Sequence, residues 1–389
     1  MKRKKAPKAD LEEITPELIA LWRRLHKLPG PPDRLQTREF RGVVDTIKAL
    51  QEQSWQGQSL IGQDFFIHKE LLGAYLLYNW VIHYQEGLSL IGELPHTPGR
   101  VLDICSGPLP FAYAALKHGA REVIATDWND HALQLGAEMC GRGGYPVSIR
   151  KWNALKGGPL PVEGKFDLII LGHCLQDLFP DTKKNWREEQ KNFIQNRLNN
   201  LTPDGFLLIV DSSLSHTNRR ILELRDQMVG LGVPVQAPCV WKGECVALKS
   251  NSLCFAQREM EKSHLIKEFQ RAAAINLSSL KMSYLILRNP NAGWPQLPEK
   301  PLYRIISPPI DTIHGKRYYL CGTDGKKNLG SNVEPLPKEA RAFEFLRRGE
   351  LISFKDVYER DQIVDIVDGS EITVDAALGK PLPERDYGE

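Results

Sequence analysis

Two rhythms of apolar and polar residues divide this chain. Up to about residue 95 the apolar positions recur at helical spacing. LIALWRRLHKL follows Thr15-Pro16-Glu17, which predicts a helix start, and Pro29-Gly30-Pro31-Pro32 ends it. Residues 38–94 continue in helical patterns with few breaks, and LLGAYLLYNWVIHY is apolar nearly all round, which predicts burial. From residue 100 the rhythm changes. RVLDICSG, EVIATDWN, FDLIILGHCL and FLLIVDSS read as strands, with FAYAALKHG and HALQLGAEMCGRGG as helices between them. Strands alternating with helices predict an α/β fold with a parallel, doubly wound sheet, and such sheets bind ligands beyond the carboxyl ends of their strands.

Residues 231–262 lose this periodicity and read as an insertion, after which KMSYLILRN resumes as a strand. From residue 301 the texture is that of a small β domain. LYRIISPPI, KRYYLCGT, LISFKDVYE, QIVDIVD and EITVD are short β-like runs separated by turn residues, as in an OB-like barrel. The expected organisation is a basic tail and helical region over 1–95 and a core over 96–230. A cysteine-rich insertion follows over 231–275, then a strand returning to the core over 276–295 and a β-rich domain over 296–389.

The chain has 389 residues, 42% of them hydrophobic, enough for two or three domains with proper cores. A net charge of +3 does not by itself demand a nucleic-acid partner. MKRKKAPK at the start concentrates five basic residues, either a solvated tail or an arm that contacts phosphates. No apolar run is long enough for a membrane span and the start lacks the apolar run of a secretory signal. A cytoplasmic, monomeric protein is the expectation, one in which clustered cysteines are more often metal ligands than disulfides.

VLDICSGPLP lies where a strand turns into a helix. The pattern D-x-G-x-G-x-G would be an S-adenosylmethionine signature, in which glycines let the backbone approach the ligand and helix amides point at it. Asp103 and Gly107 match it, while Cys105 and Leu109 stand at glycine positions, with Pro108 between them. Asp127 ends the second strand and could accept both ribose hydroxyls, with Trp128 beside it. Asn153 and Ala154 could border an adenine, and His173 and Asp177 follow the fourth strand toward the same crevice. A dinucleotide site, or a sheet in which Asp103 and Asp127 merely cap helices, would give the same strand–turn–helix units. No catalytic residue is legible. The D/N-P-P-Y/F motif of amino-methylating enzymes is absent after strand four, as are proline-flanked cysteine pairs. Cys174 is either a nucleophile or a buried strand-end cysteine, and His173 either a general base or a lining residue.

Cys239, Cys245, Cys254 and Cys321 follow the spacing C-x5-C-x8-C-x66-C. Four thiolates can close a site around zinc or an iron–sulfur cluster, and the spacing lacks both zinc knuckles and ferredoxin runs, so it does not name the metal. His264 is a possible substitute ligand. Trp241, Lys242, Lys249, Phe255, Arg258 and Lys262 lie in or near this segment. Mixed basic and aromatic loops suit unpaired RNA, and surface solvation is the plainer alternative.

Over residues 35 to 330 the chain resembles the methyltransferase-like small-ribosomal-subunit assembly family of bacteria and mitochondria. The resemblance rests on VLDICSGPLP, on APCVWKGECV followed by LCFAQRE, on KMSYLILR and on LCGTDG. It implies an S-adenosylmethionine methyltransferase-like core of doubtful activity, with S-adenosylmethionine as a possible cofactor. It also implies a [4Fe–4S] cluster on Cys239, Cys245, Cys254 and Cys321. The implied partner is the small ribosomal subunit precursor with its 16S-type rRNA, bound by an assembly factor. An active rRNA methyltransferase and an iron- or redox-sensing RNA binder are the alternatives.

Overall fold

Apolar faces that need cover shape the first ninety residues. Helix α1 (Leu11–His26) buries Leu11, Ile14, Leu18, Ile19, Leu21 and Trp22 along one side. It begins earlier than Thr15-Pro16 predicts, and Pro16 lies inside it. The first turn is held from outside the helix: the Leu11 amide donates to Glu261 Oε1, and Glu12 accepts from the His264 amide. These contacts, with the burial of Leu11 and Ile14, outweigh the hydrogen bond that proline removes. Helices α2 (Thr37–Trp55), α3 (Lys69–Ala74) and α4 (Trp80–Ile91) follow, with a π-helical turn over Tyr75–Asn79. As the all-round apolar pattern predicts, the run through α4 is almost wholly buried.

The computed structural model describes residues 8–55, 65–156, 158–331 and 333–383. Of the basic N-terminal run, all but Lys8 lies outside the described residues. The chain divides into two compact units. The first is built from residues up to Ile91, from His96–Ile209 and from Glu259–Leu280; the second from Gly92–Pro95, Val210–Arg258 and Lys281 onward.

In the first unit the strands are β1 (Arg100–Ile104), β2 (Glu122–Asp127), β3 (Ser148–Lys151), β4 (Phe166–Gly172) and most of β5 (Leu201–Ser212). Their order is β3-β2-β1-β4-β5, and the pairs β1–β2, β2–β3 and β1–β4 are parallel. Val101, Leu102 and Ile104 of β1 and Leu168–Leu171 of β4 are fully buried, the continuous apolar character of strands covered on both faces. Helices α5 (Pro110–Lys117), α6 (Asp130–Arg142), α7 (Leu175–Leu178) and α8 (Trp186–Leu198) supply that cover. Proline starts α5 at its first turn, and Asn129 caps α6 by accepting from the Ala132 amide at 3.0 Å. Gly87 lets α4 approach α5, since a Cβ there would stand 2.8 Å from that of Ala114. The order reverses direction between β1 and β4, and beyond that switch point a crevice opens at the carboxyl ends.

The second unit contains α9 (Ser215–Gly230), β6 (Val235–Ala237), α10 (Val246–Lys249), β7 (Ala256–Glu259) and β8 (Ser279–Arg288). The aperiodic cysteine segment therefore contains two strands and a short helix. KMSYLILRN is a strand as predicted, pairing antiparallel with β6 and also with β7. A further helix, α11 (His264–Ala272), belongs to the first unit. The C-terminal strands are β9 (Tyr303–Ile305), β10 (Ile310–Thr312), β11 (Gly315–Gly322), β12 (Gly325–Ser331), β13 (Leu351–Lys355), β14 (Tyr358–Arg360), β15 (Ile363–Ile366) and β16 (Glu371–Ala376). They form a sheet of order β14-β15-β12-β11-β9-β13-β16, with β10 on β11. Tyr303, Ile305, Tyr318, Leu320, Leu329, Phe343, Ile352, Val364 and Ile366 are buried in its core. β12, GKKNLGS, has no apolar alternation and is held by its neighbours β11 and β15. Among the described residues no helix is long and apolar enough to cross a membrane.

Arg258, expected among the RNA-facing cations, is instead buried, 4% exposed, and paired with the buried Glu93 carboxylate. Tyr284 donates its hydroxyl to the other Glu93 oxygen at 2.6 Å. Removing one partner of such a pair leaves an uncompensated buried charge. Arg258→Met is expected to destabilise the protein by about 3–5 kcal/mol, read from the midpoint of urea unfolding. An unchanged midpoint would contradict the pairing.

Candidate functional site

The crevice beyond β1, β2 and β4 has a volume of about 800 Å³. Its floor is the β1–α5 turn. Three of its non-glycine residues adopt left-handed backbone: Cys105 (φ 57°), Leu109 (φ 63°) and, after β4, His173 (φ 52°). Cys105 and Leu109 occupy the positions at which a glycine pattern would be expected. The loop thus keeps the conformation that favours glycine while carrying side chains, at a cost of order 1 kcal/mol or more each. Gly107 (φ 53°) is required twice over, because a Cβ there would also stand 2.9 Å from the Phe66 ring.

Two buried carboxylates hold the turn. Asp127 Oδ2 accepts from the Gly107 amide at 2.9 Å and Oδ1 from the Asn129 amide at 2.8 Å. Asp103 Oδ2 accepts from the Ala112 amide at 3.0 Å, while its Oδ1 is buried without a hydrogen-bond partner. Burial pushes the Asp103 carboxyl up to about 8, the Asp127 charge adding to the effect and the Ala112 amide opposing it. Asp127 is also raised by burial, against three amide hydrogen bonds that lower it.

Of the residues expected at a cofactor, Cys105, Gly107, Asp127, Trp128, Asn153, Ala154 and His173 line the crevice, and Asp177 does too. Asp103 and Pro108 do not. Asp103 is 1% exposed beneath the turn, and Pro108 faces the other way, its carbonyl accepting from Trp80 Nε1 at 2.8 Å. Cys174 lines it as well, and Phe66, Tyr75, Ser106, Phe111 and Trp152 are among the lining residues that were not anticipated. Trp152 follows β3 and its amide donates to the Asp127 carbonyl, so an aromatic after the third strand was a usable signal. Cys174 is 6% exposed and caps α7, the position of a buried strand-end cysteine.

One wall of the crevice is polar in a way the sequence did not reveal. His173 Nε2 lies 2.7 Å from Glu86 Oε2, and the Tyr75 hydroxyl lies 2.8 Å from His83 Nδ1. Among the described residues, His83, Glu86 and His173 form the one His/Cys/Asp/Glu group whose ligand atoms lie within 4.8 Å of one another. The two imidazoles stack at 3.9 Å with 13° between planes. Their lone pairs lie in nearly parallel planes and do not converge on one ion, so the group reads as a hydrogen-bonded wall. Burial lowers the His83 pKa well below its ordinary value, with His173 a second contributor. The signal was a glutamate three residues after a histidine in an otherwise apolar helix.

The second unit gathers the four cysteines. Cys239, Cys245, Cys254 and Cys321 line one cavity of about 500 Å³. Cys239 follows β6, Cys245 caps α10, Cys254 precedes β7 and Cys321 ends β11. Helix α9 positions three of them. Asn218 Nδ2 donates to the Cys254 carbonyl at 2.7 Å, and the Cys254 amide donates back to Asn218 Oδ1 at 3.3 Å. The Asp226 carboxylate accepts from the Cys245 amide at 3.0 and 3.1 Å. Arg225 donates to the Trp241 and Gly243 carbonyls, which closes the loop from Cys239 to Cys245. Burial pushes the Cys321 thiol up to about 12, Cys254 well above its ordinary value and Cys245 upward, and the neighbouring cysteines add to each shift. No three of these sulfurs belong to a group within 4.8 Å among the described residues. His264 is exposed and pairs with Glu268 at 3.5 Å.

Fold and crevice define a methyltransferase-like α/β protein. Its residues 92–330 match the family described as mitochondrial small ribosomal subunit Rsm22, and the chain belongs to that family. It is 35% identical over 96 residues to the ribosomal protein L11 methyltransferase of Lactobacillus delbrueckii subsp. bulgaricus, covering 24% of this chain and 29% of that protein. It is 34% identical over 94 residues to the enzyme of the same name from Geobacter sulfurreducens, covering 24% and 28%. The chain thus spans less than a third of these relatives. Among solved structures it is similar to the L. delbrueckii ribosomal protein L11 methylase, with 16% identity, a TM-score of 0.30 and coverage of 53% of this chain and 75% of that one. It is also similar to the N-methyltransferase NodS of Bradyrhizobium japonicum in complex with S-adenosyl-L-homocysteine, with 14% identity, a TM-score of 0.33 and coverage of 53% and 85%.

The raised Asp103 carboxyl makes stability depend on pH. The folded state keeps a proton between the unfolded carboxylate value, about 4, and about 8, a window in which the unfolded chain has lost it. Stability contributed by that proton is full below the unfolded value and is lost as pH rises toward 8, with a limiting slope of about 1.4 kcal/mol per unit. Asp103→Asn should flatten this loss between pH 5 and 8, measured as the pH dependence of the urea midpoint relative to the unsubstituted protein. Parallel curves would contradict the shift.

Proposed function

We propose that this protein is an RNA-binding assembly factor of the small ribosomal subunit that carries a [4Fe–4S] cluster on Cys239, Cys245, Cys254 and Cys321. Membership of a small-subunit family supports the ribosomal part of the reading. The observation that carries the metal part is the convergence of four thiols, from separate stretches of the chain, on one cavity. Buried thiolates repel one another, and a cationic centre that binds only deprotonated sulfur relieves that repulsion. A tetrahedral zinc site with Zn–S of about 2.3 Å would bring all its sulfurs within about 3.8 Å of each other. Four thiolates suit zinc or a polynuclear iron–sulfur cluster alike, and the family resemblance favours the cluster. The donor set therefore fits the cluster, which would tie the 239–254 loops to β11.

The crevice of the first unit is read as an S-adenosylmethionine pocket. Asp127, fixed by two amides at the end of β2, keeps lone pairs for ribose hydroxyls. Trp128, Trp152, Asn153 and Ala154 offer an adenine border, and the unpartnered Asp103 oxygen lies under the same turn. Names of the sequence relatives support methyl transfer as the ancestral chemistry. We read this pocket as a retained binding site in an assembly factor, with an active rRNA methyltransferase as the second reading.

The test is co-sedimentation of the full chain with precursor small subunits from depleted cells. The unsubstituted protein is expected in the precursor fraction, and Cys321→Ser, which removes the ligand from β11, is expected to fall at least tenfold in that fraction. A protein absent from precursor particles would overturn the assembly reading. Equal binding by Cys321→Ser would overturn the link between metal and RNA.

A further inference from the structure

We propose that Arg225, Arg304 and Arg348 form a ring of positive charge around the four-cysteine centre, and that Arg225 sets both how firmly the centre keeps its iron and how readily it takes up an electron. The proposal rests on the reading of the cysteines as ligands of one iron–sulfur cluster. Each arginine reaches a different part of the site. Arg225, among the largest fully buried side chains of the protein, lines the cavity that the four cysteines share. Its Nε is buried with no hydrogen-bond partner. Arg304 is 9% exposed and sits opposite Cys321 in the β9–β11 pairing. It donates to the carbonyl of Pro238, the residue before Cys239, at 2.6 Å. Arg348 stacks its guanidinium 4.0 Å from the ring of Phe255, next to Cys254, and its Nε is likewise buried and unpartnered.

Arg225 and Arg304 are buried and Arg348 is partly buried, and they have fewer carboxylate partners than guanidiniums. Among the described residues, the ion pair recorded for these three is that of Arg225 with Asp226, and Asp226 also receives the Cys245 amide. A buried cation needs a counter-charge. Four thiolates supply one, because they carry more negative charge than the cluster core neutralises. The same surplus grows when the cluster gains an electron. Fixed positive charge and hydrogen bonds to sulfur favour that reduced form and raise the potential. Arg225 has a second role, since its bonds to the Trp241 and Gly243 carbonyls fix the loop between two ligands. It is a positioning residue for Cys239 and Cys245, and it remains charged at any pH at which the protein folds.

Full-length protein purified without oxygen provides the test, with Arg225→Gln, Arg225→Lys and Arg348→Gln as variants. Two quantities are read: the midpoint of a dithionite titration followed by visible absorption and electron spin resonance, and the rate of iron loss to a ferrous chelator. Arg225→Gln is expected to shift the midpoint to lower potential and to lose iron ~10- to 100-fold faster. Arg225→Lys keeps the charge but cannot reach both carbonyls at once, so its midpoint stays near that of the unsubstituted protein while its iron loss is faster. Arg348→Gln lowers the midpoint on charge alone and decides the electrostatic claim where Arg225→Gln is recovered unfolded. Iron-loaded variants whose midpoints and release rates all match the unsubstituted protein would overturn the proposal and leave the cluster reading standing. An unsubstituted protein that holds no iron would remove the cluster reading itself.

Discussion

Holding four thiols around one cavity is the constraint on which the cysteine region of the second unit depends. Each sulfur that ionises makes its neighbours harder to ionise, and the surrounding protein withholds the water that would help. Burial and the neighbouring cysteines act in the same direction on Cys254 and Cys321. The rest of the local structure is arranged to keep the set together. Asn218 and Asp226, two turns apart on α9, bind the backbone of Cys254 and Cys245, and Arg225 binds the loop that begins at Cys239. Leu222, on the same face, packs against Cys245 and Ala247. The helix works as a rack from which two cysteine loops hang, and β11 brings the fourth cysteine from far along the chain.

The first unit shows a different economy. Its crevice keeps the backbone of a glycine loop after losing two of the glycines, with Cys105 and Leu109 held left-handed. A strained turn persists only where the surroundings determine it fully. Here the surroundings are Asp127 gripping the Gly107 amide, the fully buried Leu109 side chain, and Phe66 lying against Gly107. Retaining that turn at a cost is consistent with a crevice that still binds. Tyr75 and His173 line the crevice and are backed by hydrogen bonds with His83 and Glu86, and Trp128 and Trp152 line it as well.

Much of this was legible in the order of residues. The strands ending in Ile104, Asp127 and Gly172 were visible because they are largely apolar runs closed by a turn, and many crevice residues followed from where those runs end. Three of the four cysteines were visible from their density, and Cys321 joined them through the family resemblance. What stayed hidden was whatever depends on tertiary partners. The start of α1 was misplaced because its first turn is held by Glu261 and by the amide of His264, both remote in sequence. β12 was missed because GKKNLGS owes its conformation to flanking strands. Arg258 was expected at the surface because an arginine near basic and aromatic residues usually is, yet Glu93, from a distant stretch, draws it inside. The role of α9 was concealed by its polarity, although Asn218, Leu222 and Arg225 recur at the spacing of one helix face. A polar residue on a buried face is itself a sign of a partner.

The central claim is the proposal that Cys239, Cys245, Cys254 and Cys321 hold one iron–sulfur centre. Iron, zinc and acid-labile sulfide measured per chain, on protein purified without oxygen, test it most directly. The account predicts about four irons with matching sulfide and little zinc, as in a cubane held by four thiolates. One zinc per chain with no sulfide would contradict the cluster, and no metal at all would contradict the centre.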